Sequence, residues 1–323
     1  VAVVAQLPHV KDTPDQFKYV ILDDNLKETG KGEFSFAGNP KKIQVKDFLA
    51  SDKGELFLIG EDYDKSFTYP VVYKATAGSA SGSIIPVIIA NPDQKNYNYL
   101  SSVNTAGQLV IAGYMHQKKT FSINDTKAIG VWLFNSSKPA EVKTFMFTSQ
   151  IESLTARNIV FNDNTLYLIG EQYRANKLPS TGNAMQRLNA EEEFDYEHKD
   201  IMVTAFSSDG AKKFDIPFSR KLTSRNYDQD LMIASGIVNN KLALVFNDQY
   251  GKYFEGNTYK YYKLPVAVLI NNDGLMEAPV NFAKELDTKV TSYTLMPQYF
   301  SSGNGNLVIL LQNNETVKTA TFK

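Results

Sequence analysis

The chain of 323 residues is 43% hydrophobic, which supplies a large core, so that disorder is not the default reading. Its 34 Lys and Arg nearly cancel 35 Asp and Glu, so the formal net charge of -1 sets up no field aimed at nucleic acid or an anionic membrane. There is no Cys, which excludes disulfides, thiolate metal sites and a cysteine nucleophile without fixing the compartment.

No stretch approaches the roughly 20 apolar residues of a membrane-spanning helix. Val1 to Leu7 is a short apolar run ahead of Pro8. It reads as a β-strand, or alternatively as the tail of a signal peptide cut ahead of Gln6, with Val3 and Ala5 at the small-residue positions. From there to the end, short apolar and β-branched runs recur, divided by Asn, Asp, Gly and Ser clusters that favour turns. Helix signals are sparse. Asn183 to Glu197 has a helix-compatible composition, and a loop insertion is the equal alternative. Ile201 to Phe206, then Ser-Ser-Asp-Gly, then Lys-Lys-Phe-Asp-Ile-Pro-Phe, reads as two strands joined by a tight Asp-Gly turn.

An internal repeat organises these strands. Gly54-Glu-Leu-Phe-Leu-Ile-Gly-Glu61, Gly107-Gln-Leu-Val-Ile-Ala-Gly113, Asn164-Thr-Leu-Tyr-Leu-Ile-Gly-Glu171, Asn240-Lys-Leu-Ala-Leu-Val-Phe-Asn247 and Gly305-Asn-Leu-Val-Ile-Leu-Leu-Gln312 share one pattern: a turn residue, a variable residue, then an apolar strand. A second marker precedes each: Tyr19-Val-Ile-Leu-Asp-Asp, Val71-Val-Tyr-Lys, Gly130-Val-Trp-Leu-Phe-Asn, Met202-Val-Thr-Ala-Phe-Ser and Val266-Ala-Val-Leu-Ile-Asn. The pairs define units over 17–66, 67–119, 128–177, 200–254 and 264–316, with a polar insertion at 175–199. Four antiparallel strands per unit match a propeller blade. The expectation is therefore an all-β fold, a single β-propeller over 1–323 with five blades of four antiparallel strands. Six blades, or two β-sandwiches divided near 175–200, are the alternatives. Val1 to Leu7 and Val317 to Phe322 are expected to pair with the end blades.

Carboxylates and tyrosines recur where the first marker strand ends, as Gly60-Glu61-Asp62-Tyr63, Gly170-Glu171-Gln172-Tyr173 and Asn247-Asp248-Gln249-Tyr250. Such groups close turns or pack between blades with their hydroxyls at the rim. Alternatively Glu61, Glu171 and Asp248 supply the facing carboxylates of a glycosidase. Tyr63, Tyr173 and Tyr250, with Tyr253, Tyr259 and Tyr261 on an aromatic, basic hairpin flanking Glu255 to Thr258, are candidate ligand contacts. Trp132 reads as core. His9, His116 and His198 have no ligand spacing, so they predict no metal site and are expected to be isolated, exposed side chains. Calcium is the one alternative cofactor, at the oxygen-rich turns Asp23-Asp-Asn25, Asp62-Tyr-Asp64, Asn162-Asp-Asn164 and Asn271-Asn-Asp273. Gly78-Ser-Ala-Ser-Gly82 lacks a nucleophile elbow's central serine, no phosphate loop occurs, and Arg220, Lys221 and Arg225 are too few for a nucleic-acid footprint.

Asn164-Thr-Leu-Tyr-Leu-Ile-Gly-Glu-Gln-Tyr173 and Asp200-Ile-Met-Val-Thr-Ala-Phe-Ser-Ser-Asp-Gly210 together resemble repeats of exported Bacteroidota proteins that have no assigned function. The resemblance implies export and propeller architecture, and it assigns no catalytic residue. The expected function is a noncatalytic, extracytoplasmic binding or scaffold protein, periplasmic or at the cell surface, recognising protein, peptide or glycan through its loops. A glycan-active hydrolase with a carboxylate-lined central pocket and a structural surface spacer are the alternatives.

Overall fold

The computed structural model describes residues 1–8, 10, 13, 16–35, 43–64, 67–76, 83–87, 94–117, 126–179, 192–225, 231–255, 258–281, 294–303, 305–312 and 317–322. Within these, the side chains of 34, 43–44, 62–64, 67–69, 86, 94–97, 249–255, 258–264, 281 and 294 lie outside the description. The strands gather into two compact units, Val1–Ile151 and Glu152–Lys323.

In the first unit, β1 (Ala2–Gln6), β2 (Gln16–Leu22) and β3 (Glu28–Ser35) form one antiparallel sheet. A second contains β4 (Ile43–Ala50), β5 (Glu55–Asp64), β6 (Phe67–Thr76) and β7 (Ser83–Pro86), in that order. The third contains β8 (Gln94–Val103), β9 (Leu109–Gln117), β10 (Lys127–Asn135) and β11 (Val142–Glu152). In the second unit, β12 (Leu154–Asn162), β13 (Thr165–Lys177), β14 (Phe194–Ser207) and β15 (Lys212–Phe218) form a sheet in which β16 (Leu222–Arg225) also pairs with β14. Next come β17 (Ile233–Val238), β18 (Lys241–Glu255), β19 (Thr258–Ile270) and β20 (Val280–Asn281). The last sheet has β21 (Thr294–Gly303), β22 (Asn306–Gln312) and β23 (Val317–Phe322).

The all-β class is as expected, and each sheet is a meander of the kind expected of one blade. The described strands nevertheless form six sheets where five units were expected, and the reason is phase. The first marker forms the second strand of its sheet (β5, β9, β13, β18, β22), and the second marker forms the strand paired after it (β6, β10, β14, β19). Pairing each second marker with the next first marker joined halves of neighbouring sheets. The opening sheet carries only the second marker, on β2, and the last only the first, on β22. Five straddling pairs thus span six sheets. Their missing partners are the terminal strands: β1 pairs with β2, and β23 with β22.

The continuous apolar runs follow from burial on both faces. In β18, Leu242, Leu244 and Phe246 meet Tyr167, Ile169 and Val203 of the preceding sheet, whereas Ala243 and Val245 meet Leu307 and Ile309 of the following one. In the first unit β5 does the same, with Leu56 and Leu58 packed toward Phe17 and Tyr19, and Phe57 and Ile59 toward Ile111 and Trp132. Trp132 is core, as expected, at 0% exposure.

Turns supply the punctuation the repeat requires. Asn239 and Asn240 both take positive φ, 46° and 58°, in the two-residue link between paired Val238 and Lys241. The Asp-Gly turn forms as expected, with Gly210 at φ 81° and its N–H donating to Ser207 O. Of the candidate helix, residues 194–197 belong to β14 and 183–191 lie outside the described residues. Among the described residues there is no helix long and apolar enough to cross a membrane. The expected polar insertion begins and ends as strand: β13 and β14 remain paired as far as Lys177 and Phe194, while 180–191 lie outside the described residues.

Candidate functional site

A bulge in β12 starts the site. Ala156 faces Gly170 and Asn158 faces Ile169, leaving Arg157 as the extra residue, which re-aims its side chain. Arg157 Nε donates to Glu171 Oε2 at 2.8 Å. Glu171, on β13, is fully buried. Its other oxygen, Oε1, accepts from His198 Nδ1 of β14 at 2.8 Å. A carboxylate only accepts, so Nδ1 carries the proton. Oε1 also accepts from Arg220 Nη2, which donates in addition to Leu231 O at 2.9 Å. Arg220 lies between β15 and β16 and is 5% exposed; His198 is fully buried, against the expectation of an exposed, isolated histidine.

Burial pushes the Glu171 carboxyl upward, but the His198 hydrogen bond and the charges of Arg220 and Arg157 outweigh it and hold it below the usual carboxylate range. Burial pulls the Arg220 guanidinium down, while the charges of Glu171 and Asp248 draw it back. Glu171 is therefore a committed anion. It has no proton to give near neutral pH, and it accepts from three donors, so it is unsuited to be a general acid.

Above this cluster β13 and β14 continue as a ribbon. Tyr173 pairs with His198, Ala175 with Tyr196 and Lys177 with Phe194, so Tyr173, Tyr196, His198 and Phe194 share one face. The Arg157 guanidinium lies 4.4 Å from the centroid of the Tyr173 ring, and His198 meets that ring edge-on at 5.0 Å. Tyr173 stacks with Tyr196 at 6.4 Å and 20°, and Tyr196 with Phe194 at 5.9 Å and 25°. All three rings are half-buried. A shallow polar depression is lined by Glu152, Ser153, Gln172, Arg174, Glu197 and Lys199. Its charges are self-paired, Arg174 with Glu152 at 2.9 Å and Lys199 with Glu197 at 2.7 Å.

Of the candidate carboxylates, the structure brings Glu171 and Asp248 to bear on one guanidinium, that of Arg220. Glu61 belongs to the first unit, where it pairs with Lys46 at 3.3 Å. Tyr173 lies in the aromatic stack. The side chains of Tyr63, Tyr250, Tyr253, Tyr259 and Tyr261 lie outside the described residues; their backbones run in β5, β18 and β19. The hairpin expected around Glu255 to Thr258 forms, with those two residues paired.

Arg157, Arg220, His198, Tyr196 and Phe194 were not singled out from sequence as parts of a site. A signal for Arg157 was present. Val45-Lys-Asp-Phe48 and Ala156-Arg-Asn-Ile159 stand before Glu61 and Glu171 at spacings that differ by a single residue. Lys46, like Arg157, is the extra residue of a bulge. The residue after each bulge behaves alike. Asp47 accepts from Phe48 N and from Ser101 Oγ of the next sheet, and Asn158 accepts from Ile159 N and donates to Ser235 Oγ of the next sheet at 2.7 Å.

Among the described residues there is no group of three or more metal-ligating side chains. At the oxygen-rich turns, Asp23 Oδ1 accepts from the N–H groups of Asn25 and Lys27, and Asn271 Oδ1 from those of Asp273 and Leu275. Asn162 Nδ2 donates to Asn240 O and Asn272 Oδ1, both at 3.0 Å. The side chains of Asp62 and Asp64 lie outside the described residues.

Fold and site together define an all-β protein of consecutive meander sheets, with an aromatic ribbon seated on a buried ion cluster. No family model matches the chain, and no curated protein matches it. Among solved structures it is similar to prolyl oligopeptidase B from Galerina marginata, at 10% identity and a TM-score of 0.41, over 87% of this chain and only 36% of that one. It is similar to the polysaccharide lyase Uly1 at 10% identity and a TM-score of 0.42, over 96% of this chain and 69% of that one. A glycosyl hydrolase from Bacteroides ovatus matches at 10% identity and a TM-score of 0.29, over 87% and 84% of the respective chains.

Proposed function

We propose that the chain is an extracytoplasmic glycan-recognising protein that holds its ligand on the aromatic face of the β13–β14 ribbon. The observation that carries this reading is the stack of Phe194, Tyr196 and Tyr173. Near-parallel rings on one strand face offer flat apolar surface with polar tips, which suits the C–H faces and hydroxyl edges of sugars. The ion cluster beneath fixes the base of the ribbon, so less conformational freedom is lost when a ligand settles. Titration of the purified protein with neutral and acidic oligosaccharides tests the reading. Tyr196→Ala and Tyr173→Ala are expected to weaken binding about tenfold each, on the order of 1.4 kcal/mol. Unchanged affinity in both, or no glycan bound, overturns it.

The second reading is glycan cleavage, and the same mixtures test it through release of new reducing ends. Its general acid would have to be a side chain other than Glu171. Shortening of the oligosaccharide would replace recognition by catalysis as the principal activity.

A further inference from the structure

The Glu171 cluster holds more donors than its acceptors can serve. Arg157 Nη2 and Arg220 Nε and Nη1 are buried and have no hydrogen-bond partner. These three nitrogens carry five N–H bonds between them, against one unpartnered acceptor, His198 Nε2, whose ring proton is on Nδ1. Glu171 already accepts from Arg157, Arg220 and His198, and Arg220 Nη2 has taken Leu231 O. Asp248 draws on Arg220 through its charge, yet no hydrogen bond reaches Nε or Nη1. The charge of Arg157 acts against that of Arg220 across the shared carboxylate. Buried donors left this way are costly, and more so when charged.

What satisfies them must be compact, must accept several hydrogen bonds at once and must bring few donors of its own. A water molecule brings two O–H groups into a place already rich in donors. A halide only accepts, and its charge offsets the repulsion between the two guanidiniums. We propose that the cluster binds a halide ion, chloride in physiological salt, on the unpartnered N–H groups of Arg157 and Arg220. The ion ties β12 and the β15–β16 link to the base of the ribbon. This inference is independent of what the aromatic face binds.

Crystals of the full chain grown or soaked in bromide test the site directly, through the anomalous signal of bromine. A peak within hydrogen-bonding distance of Arg157 Nη2 or Arg220 Nη1 is expected at tens of millimolar bromide. Thermal unfolding at constant ionic strength gives a second readout: exchanging gluconate for chloride raises Tm saturably in the wild type. Arg157→Lys keeps a cation for Glu171 but removes Nη2, and it loses the chloride-specific increment while remaining folded by circular dichroism. Ordered water in place of the peak, a peak seen only at molar bromide, or an equal Tm in chloride and gluconate overturns the proposal. If Arg157→Lys does not fold, the bromide peak in the wild type decides.

Discussion

Glu61 and Glu171 occupy the same position in two copies of one strand, and their partners together with the depth of burial separate their roles. Glu171 is sealed beneath two guanidiniums and an imidazole, whereas Glu61 keeps 13% of its side chain exposed and its one partner, Lys46, keeps 39%. Glu171→Ala leaves buried cations without their counter-charge and is expected to cost about 3–5 kcal/mol in urea unfolding. Glu61→Ala should cost under about 1 kcal/mol in the same measurement. The pH dependence follows from the depressed carboxyl of Glu171. The folded state binds that proton less tightly than the unfolded chain, so the stabilisation is complete above the ordinary value of 4.5 and is lost as pH falls toward the folded value. Urea midpoints should therefore drop below about pH 4.5 in the wild type and change less in Glu171→Gln. From sequence, Glu171 and Tyr173 were legible as a recurring pair. Arg220 was not, because its approach to Glu171 joins positions 49 residues apart.

Between neighbouring elements, polar clasps supplement the apolar core. Tyr167 of β13 donates its hydroxyl to Asn272 Oδ1 at 2.6 Å, and Lys213 Nζ donates to Asn272 O at 2.7 Å. Burial pushes the Tyr167 hydroxyl up to about 12. The folded state then holds this proton more tightly than the unfolded chain. The contribution is whole below about pH 10 and is lost as pH rises toward 12. Tyr167→Phe should flatten the stability profile in that alkaline window, read by guanidinium unfolding. Strand positions were legible because the turn residues and apolar runs are local signals. Sheet membership was harder to read, since a meander has the same appearance wherever its repeat is cut. The β12 and β4 bulges escaped notice for a related reason: an extra residue breaks the alternation by which a strand is recognised.

At the scale of the whole molecule, the second and fifth sheets are buried on both faces, and each meets a neighbour on either side within its own unit. Leu244→Ala, in the fifth sheet, should cost about 2–5 kcal/mol, whereas Val317→Ala on β23, where Val317 is 62% exposed, should stay within about 0.5 kcal/mol. Amide exchange should follow the same order, slowest in β5 and β18 and fastest in the two-residue edge strand β20. The all-β class was legible from composition and turn spacing, because each sheet repeats the same local solution. The number of sheets depended on how the terminal strands pair, and that is decided by tertiary contact.

The bulge at Arg157 also makes substitution and deletion different experiments. Replacing Arg157 removes one side chain and leaves the strand's count intact. Deleting it would remove the extra residue and leave Ala156 opposite Gly170 and Asn158 opposite Ile169 in regular alternation, so that no residue on either side need change face. Asn158 would stay on the face of Ile169, and Val160 on that of Tyr167. A chain without residue 157 is therefore expected to keep β12 paired with β13 as before and to lose the bond from Arg157 to Glu171 together with the local bend, read by circular dichroism and urea unfolding. What the bulge supplies is the direction of the guanidinium, and the register of the strand does not depend on it.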